Sequence, residues 1–343
     1  MTWIPLLLAD TSPCLRRLVL RELLDRPAAD PEVLELSAAA EGDPLVVGLL
    51  ASQTADGSWP PGLRSELGQG DAILPTARAL TRLGYLGFPP QHPAVLRAVE
   101  YLFSRQQADG SWPLIHTGGD AESEGYSMMP MQTGLPLRGL ASCGYAADPR
   151  SERAYQWLLS QRLPDGAWPT GIAAGNYGYV AGYRRLPHSR WGCRSNTTAA
   201  LICLALHPER RSGAESRRAL DLLLGRETKE AHAIGFDLAR LIGAEPSRGF
   251  ITTYARFDLA QILDLCWRVG VSLEDARLAE MVAFVRRQQG AYGLWEYPRR
   301  PQASRWVTFD LLRSLSRLDQ SGDWVSLEPR TPFQPYPALT RRF

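Results

Sequence analysis

Gln53-TADGSW-Pro60 recurs as Gln106-QADGSW-Pro113, Arg162-LPDGAW-Pro169 and Gln289-GAYGLW-Glu296. The spacing from Trp59 to Trp112 is 53 residues, from Trp112 to Trp168 it is 56, and from Trp168 to Trp295 it is 127, close to two periods. A degenerate copy should therefore lie between the last two. Arg218-ALDLLLGR-Glu227 aligns with Arg153-AYQWLLSQ-Arg162 at an offset of 65, but the Trp-bearing loop after it is replaced by GRETKEAHAIG. A fixed period of this length is the mark of stacked supersecondary units that bury their apolar faces against one another.

Each unit reads as a Leu/Ala-rich helix, an Asp-Gly turn with a Trp, a long connection and a second helix. Asp-Gly is turn chemistry because Gly accepts positive φ and Asp bonds nearby backbone. Apolar residues at helical spacing, such as Leu80, Leu83 and Leu86 or Leu137, Leu140 and Ala141, predict helices near 14–25, 43–52, 73–86, 93–106, 131–144, 150–162, 196–206, 214–225, 254–269, 274–288 and 305–317. No stretch sustains the two-residue alternation of a strand. Taken alternately, 14–25, 73–86, 131–144, 196–206, 254–269 and 305–317 can form an inner ring. The expected fold is therefore all-α, an (α/α)6-type toroid over residues 1–317, with 318–343 as an extended Pro-rich tail packed on it.

Lys+Arg 38 against Asp+Glu 36 leaves a formal charge of +2, which gives no electrostatic case for nucleic acid. The apolar run Trp3 to Ala9 is too short to span a membrane and has no basic stretch before it, so a cytoplasmic protein is expected, with peripheral membrane contact open to it. Five scattered cysteines argue against a disulfide framework. Short turns such as GYAADPRS alternate with long connections, notably 113–130 and 169–195. Long connections of this kind are uncommon unless functional, which points to ligand entry at the rim where the inner helices begin. Helix N-termini there also suit an anion such as a diphosphate.

The Gln-x-x-Asp-Gly-Ser-Trp element resembles the repeat of squalene and oxidosqualene cyclases and of the related prenyltransferase β subunits, across roughly residues 43–317. The opening stretch resembles short single-toroid bacterial members of that group. The resemblance implies a toroid enclosing a polyisoprenoid or other hydrophobic molecule, with Trp59, Trp112, Trp168 and Trp295 bracing neighbouring outer helices. It also implies a cyclase starting from an Asp-x-Asp-Asp-Thr-Ala motif at the head of an inner helix. The best match is Arg194-Ser-Asn-Thr-Thr198-Ala199, which keeps Thr-Ala but no carboxylate.

Other acids then become candidates for alkene protonation, which requires a neutral carboxyl group in a dry cavity. Asp71 precedes Thr76-Ala77, where an N-cap is the alternative, and Asp258 and Asp310 lie on inner helices, where an ion pair with a neighbouring Arg is the alternative. The loop from Gly175 to Arg194 interleaves Tyr177, Tyr179, Tyr183 and Trp191 with Arg184, Arg185, His188 and Arg194. Aromatic faces stabilise cations and Arg forks hold phosphate or carboxylate. His116, Tyr126 and Met128 add candidate lining from the 113–130 connection. The prenyltransferase branch implies zinc, for which Cys193 and His188 are the nearest donors; with no CxxC or HxxxH, no cofactor is expected. An isoprenoid cyclase or prenyl-transfer protein is thus set against a non-catalytic lipid binder and a polysaccharide lyase-like toroid.

Overall fold

The computed structural model describes residues 4–60, 72–112, 130–170, 184–225, 232–246, 253–254, 256–290, 292–320 and 322–325. In chain order the helices are α1 (Ile4–Leu8), α2 (Pro13–Glu22), α3 (Pro31–Ala38), α4 (Pro44–Ala51), α5 (Ile73–Tyr85), α6 (Pro93–Ser104), α7 (Pro130–Ser142) and α8 (Pro149–Ser160). They continue as α9 (Arg194–Leu206), α10 (Ala214–Leu224), α11 (Phe236–Leu241), α12 (Leu259–Val269), α13 (Ala276–Arg287) and α14 (Ser304–Leu318). The inner ring is α2, α5, α7, α9, α12 and α14, and α3, α4, α6, α8, α10 and α13 clothe it. Neighbours touch around the circle from α5 through α7, α9, α12 and α14 to α2. The Arg17 side chain on α2 closes it by donating to the Leu86 carbonyl at the end of α5. The architecture is the toroid expected, and no described helix is long and apolar enough to cross a membrane.

Local chemistry starts the outer helices. Asp43-Pro44, His92-Pro93 and Asp148-Pro149 each set a side-chain acceptor before a proline whose missing N–H costs nothing at the first turn. Inner helices pack closely where a side chain is absent. A Cβ on Gly84 would lie 2.5 Å from the Ser142 carbonyl, and one on Gly139 would lie 2.8 Å from that of Ala77, so α5 and α7 meet backbone to backbone.

The repeated Trp loop is a brace with the same hydrogen bonds each time. The indole Nε1 of Trp59, Trp112, Trp168 and Trp295 donates to the carbonyls of Leu49, Leu102, Leu158 and Val285, each at 2.7 Å. Their backbone N–H groups donate to the hydroxyls of Thr76, Thr133, Thr197 and Thr308 on the following inner helix, at 2.9–3.1 Å. Gln53 and Gln106 donate to the carbonyls of Ala94 and Arg150 at the start of the next outer helix. Gly57 has φ +89, and its Cβ would stand 2.4 Å from the Arg97 carbonyl, so only glycine lets the turn abut α6. The brace therefore ties one outer helix to its neighbour and to the inner ring together.

Four features depart from the sequence reading. Helices α1, α3 and α11 were not anticipated, and α12 begins at Leu259 rather than near 254. The cause of the last is a short parallel pairing of β1 (His232–Ala233) with β2 (Phe257–Asp258), which holds the chain extended up to the helix. Of the expected tail, Trp324 pairs with the α12–α13 turn through Ser272 and Gly270, and 326–343 lie outside the described residues.

Candidate functional site

The degenerate repeat builds the centre of the molecule. Where the other units carry a Trp loop, this one carries α11, which packs against α5, α12 and α14 inside the ring. The Asp258 carboxylate holds it there. Oδ1 accepts from the N–H of Gly235 at 2.8 Å and of Ala260 at 3.1 Å, and Oδ2 accepts from the N–H of Asp237 at 2.8 Å. One buried side chain thus caps α11 and α12 together. Arg82 on α5 secures the far end by donating to the Leu241 carbonyl at 2.8 Å.

Two cavities flank α11 and share Thr81, Arg138, Asp237 and Leu241 as walls. The smaller, of about 90 Å³, faces the N-terminal halves of the inner helices. It is lined by Ala77, Leu135 and Leu241 together with Arg78, Arg138, Arg240 and Tyr254. The larger, of about 310 Å³, is bounded by the C-terminal portions of the inner helices and carries Glu22, Asp264, Asp310, Arg268, Arg313 and Arg317. The sequence pointed to an apolar hollow opening at the opposite rim. The larger cavity is instead charged, because α2, α7, α12 and α14 each deliver a charged side chain to it.

Asp237 occupies the wall between the two. Burial, reinforced by the charge of Asp258, pushes its carboxyl up to about 7 despite Arg240, Arg138 and Arg256. Arg138 donates to the Tyr254 hydroxyl and lies over its ring. Burial and the like charge of Arg240 bring Arg78 down to about 10. Three guanidinium groups against one part-protonated carboxyl make the smaller chamber electropositive.

In the larger cavity Asp310 pairs with Arg313 and accepts from the Tyr85 hydroxyl at 3.4 Å. Burial lifts its carboxyl to about 6, Arg313 opposes this, and Asp264 adds to it. Burial also acts on Asp264, but Arg268 and Arg313 outweigh it and hold that carboxyl below the ordinary range. Arg268 donates to Asp264 at 2.8 Å, and Arg317 pairs with Glu22 at the rim.

Of the residues singled out in the sequence, Asp310 lines the larger cavity and Asp258 lines neither. The Arg alternative for Asp310 is met by Arg313. For Asp258 it is not, because backbone amides take both its oxygens. Arg184, Arg185, His188 and Trp191 line neither cavity. The chain from 184 to 193 folds back on itself, with the Arg194 N–H donating to the Arg184 carbonyl at 2.7 Å, while His188 bonds the Gly225 carbonyl at 2.9 Å beyond α10. Cys193 is buried and its Sγ accepts from the Arg184 N–H, so His188 and Cys193 are engaged separately. No three His, Cys, Asp or Glu among the described residues could hold a metal ion together. Arg194 is buried at the head of α9. Asp71, His116, Tyr126, Met128, Tyr177, Tyr179 and Tyr183 lie outside the described residues.

The brace also bears on the motif alignment. Thr197 is the hydroxyl that answers Thr76, Thr133 and Thr308 in the other repeats. Asn196, beside it, accepts from the Met131 N–H at 2.8 Å. Asp237 and the arginines around it were missed in the sequence, because FDLARL carries no period long enough to announce a helix.

Residues 44–183 match the model of the squalene-hopene cyclase C-terminal domain. A probable squalene-hopene cyclase from Sinorhizobium fredii is 33% identical over 141 residues, covering 38% of this chain and 20% of that protein. The squalene-hopene cyclase of Zymomonas mobilis is 28% identical over 167 residues, covering 45% of this chain and 24% of its own. The chain thus spans about a fifth to a quarter of the length of these relatives. A variant of the type II terpene cyclase MstE from Scytonema, in complex with geranylgeranyl dihydroxybenzoate, aligns at 19% identity with a TM-score of 0.35, covering 80% of this chain and 95% of that one. The sequence matches relate the chain to the squalene cyclase superfamily.

Proposed function

We propose that this squalene cyclase relative is a terpene cyclase-like, isoprenoid-handling protein that takes an amphiphilic prenyl compound with an anionic head. The observation that carries the reading is the smaller chamber, which Arg78, Arg138 and Arg240 line together with Asp237. Arg forks and a buried positive field suit a diphosphate or carboxylate, while Ala77, Leu135 and Leu241 give the adjoining apolar wall. At about 90 Å³ the chamber fits a head group rather than a C20 chain, so the hydrocarbon would run from it towards the N-terminal rim.

Asp237 is the acid we assign to the reaction. The segment that resembles the family motif holds Arg194, Asn196 and Thr197 in place of carboxylates. Asp237 is buried in the wall of the same ring and keeps its proton to about neutral pH. Transfer of that proton to the alkene of the prenyl chain next to the head group would leave a tertiary cation and an aspartate, and loss of a proton from the cyclised cation would close the balance.

The test is incubation with squalene, geranylgeranyl diphosphate and a prenylated benzoate, read by mass spectrometry of extracts. Cyclised product from the native protein, absent with Asp237→Asn, is the expected result. Binding of a prenyl compound without turnover would overturn the acid and leave a carrier. No binding of any of the three, with Arg78→Gln indistinguishable from the native protein, would overturn the isoprenoid reading.

A further inference from the structure

The geometry points to a second ligand site: the larger cavity, at the C-terminal ends of the inner helices, binds a small water-soluble oxyanion through Arg268, Arg313 and Arg317. The proposed isoprenoid reading meets this cavity only in the shared wall, at Arg138 and Asp237. The cavity lies on the other side of α11 from the electropositive chamber, and most of its walls are different residues.

Its chemistry is that of a polar ligand. Arg313 is 7% exposed and its Nε is buried without a hydrogen-bond partner, while its Nη2 is shared between Asp310 and Asp264. Arg268 gives Nε to Asp264, and Arg317 gives Nη2 to Glu22. Arg138, in the common wall, spends a donor on the neutral Tyr254 hydroxyl. Each guanidinium carries five N–H donors, so donors outnumber the acceptors offered by the surrounding carboxylates. Arg forks match the paired oxygens of phosphate or carboxylate. The route in is polar as well: Arg317 and Glu22 are each about a third exposed at the rim, where Arg317 stacks on Trp267 at 4.4 Å. A volume of about 310 Å³ leaves room for a phosphate or a small organic acid with its water.

Charge sets the direction of a pH effect. Counted as fully ionised, Arg138, Arg268, Arg313 and Arg317 balance Glu22, Asp237, Asp264 and Asp310. Asp310 faces Arg313, Asp264, Arg268, Asp258 and Tyr85, and Asp237 faces Asp258, Arg240, Arg138 and Arg256. Both carboxyls are lifted towards neutrality, so mild acid removes negative charge from the walls and leaves the arginines in place. Anion binding favours that protonated form and takes up protons.

The experiment is calorimetric titration of the full chain with inorganic sulfate, a dianion throughout, at about pH 6 and about pH 8, against chloride at matched ionic strength. Saturable binding is expected, several-fold tighter at the lower pH, with heats that depend on buffer ionisation in the sense of proton uptake. Arg317→Gln sits at the rim and is the variant most apt to stay folded; about a tenfold loss of affinity is expected from it and more from Arg313→Gln. Arg286→Gln, on the exposed face of α13 and outside both cavities, should leave sulfate affinity unchanged. No saturable binding at either pH overturns the proposal. So does loss of binding in Arg78→Gln with Arg317→Gln unaffected, which would place the anion in the smaller chamber.

Discussion

Replacing Thr197 by Val exchanges a hydroxyl for a methyl of nearly the same size, so no hole opens in the core. What is lost is the acceptor for the Trp168 backbone N–H, a bond of 3.0 Å between two residues that are 0% exposed. Water cannot reach the orphaned N–H, and the indole cannot swing to compensate because its Nε1 is fixed on the Leu158 carbonyl at 2.7 Å. An unsatisfied buried donor costs about 1–3 kcal/mol. For 343 residues, an unfolding entropy of about 2.1 cal/mol/K per residue makes that a drop of about 1.5–4 °C in Tm. Thr76→Val, Thr133→Val and Thr308→Val remove the equivalent bond to Trp59, Trp112 and Trp295 and should cost the same order. Thr76 and Thr197 lie on α5 and α9, separated by α7, so their double variant should lose the sum. Equilibrium urea denaturation measures this, with unchanged m-value showing that the same surface is exposed on unfolding. Four variants each within about 0.5 kcal/mol of the native protein would refute the idea that the hydroxyl belongs to the brace.

The raised carboxyl of Asp237 makes stability pH-dependent in a defined direction. Its folded-state value is about 7, above the unfolded value, so the folded state holds the proton longer and stability falls as pH rises between the two. Asp237→Asn removes that loss, and its urea midpoint relative to the native protein should climb from about pH 5 to about pH 8; parallel midpoints would contradict the assignment. The thiols give another check. All five cysteines are buried, and burial raises Cys14, Cys143 and Cys203 to about 12 and Cys266 upward as well. A thiol-specific chromogenic reagent at neutral pH should find no fast-reacting group in the folded protein and five after denaturation, whereas a rapid native reaction would place a cysteine at the surface.

The toroid was legible because its information is local and repeated. Asp-Gly turns, Asp-Pro and His-Pro helix starts and apolar spacing occur in each unit, and each is satisfied within the unit or by the next one along. The partner of the Trp N–H was not legible, since a Thr four residues into a Leu/Ala-rich helix reads as an ordinary helical residue until the loop folds onto it. The site was less legible still. Asp310 stood out because it lies on an inner helix, and the neighbouring Arg weighed against it there is Arg313, one turn later. Asp237 did not, because its burial comes from the insertion of α11 among α5, α12 and α14, a tertiary event with no periodic signature in six residues. Asp258 stood out for its helix, but its role lies as much in the amides of Gly235 and Asp237, more than twenty residues away, as in that of Ala260.

The degenerate repeat is better understood as an exchange than as a loss. Four units spend their Trp loop on the outer wall, fastening one outer helix to the next. The fifth gives up the Trp and turns the same connection inward. Here α11 stands between two chambers, the smaller electropositive and the larger with arginines and carboxylates in balance. The division requires a substitute for the missing brace, and the Asp258 carboxylate provides it, gathering Gly235, Asp237 and Ala260 on its two oxygens. That arrangement fixes Asp237 at the only wall the described chambers share and, by placing the Asp258 charge next to it, also raises its affinity for a proton. The structural device that closes the weakest repeat therefore creates the buried acid on which the functional reading depends. Asp258→Ala should release α11 and lower the Asp237 carboxyl together, an outcome that a merely decayed repeat would not produce.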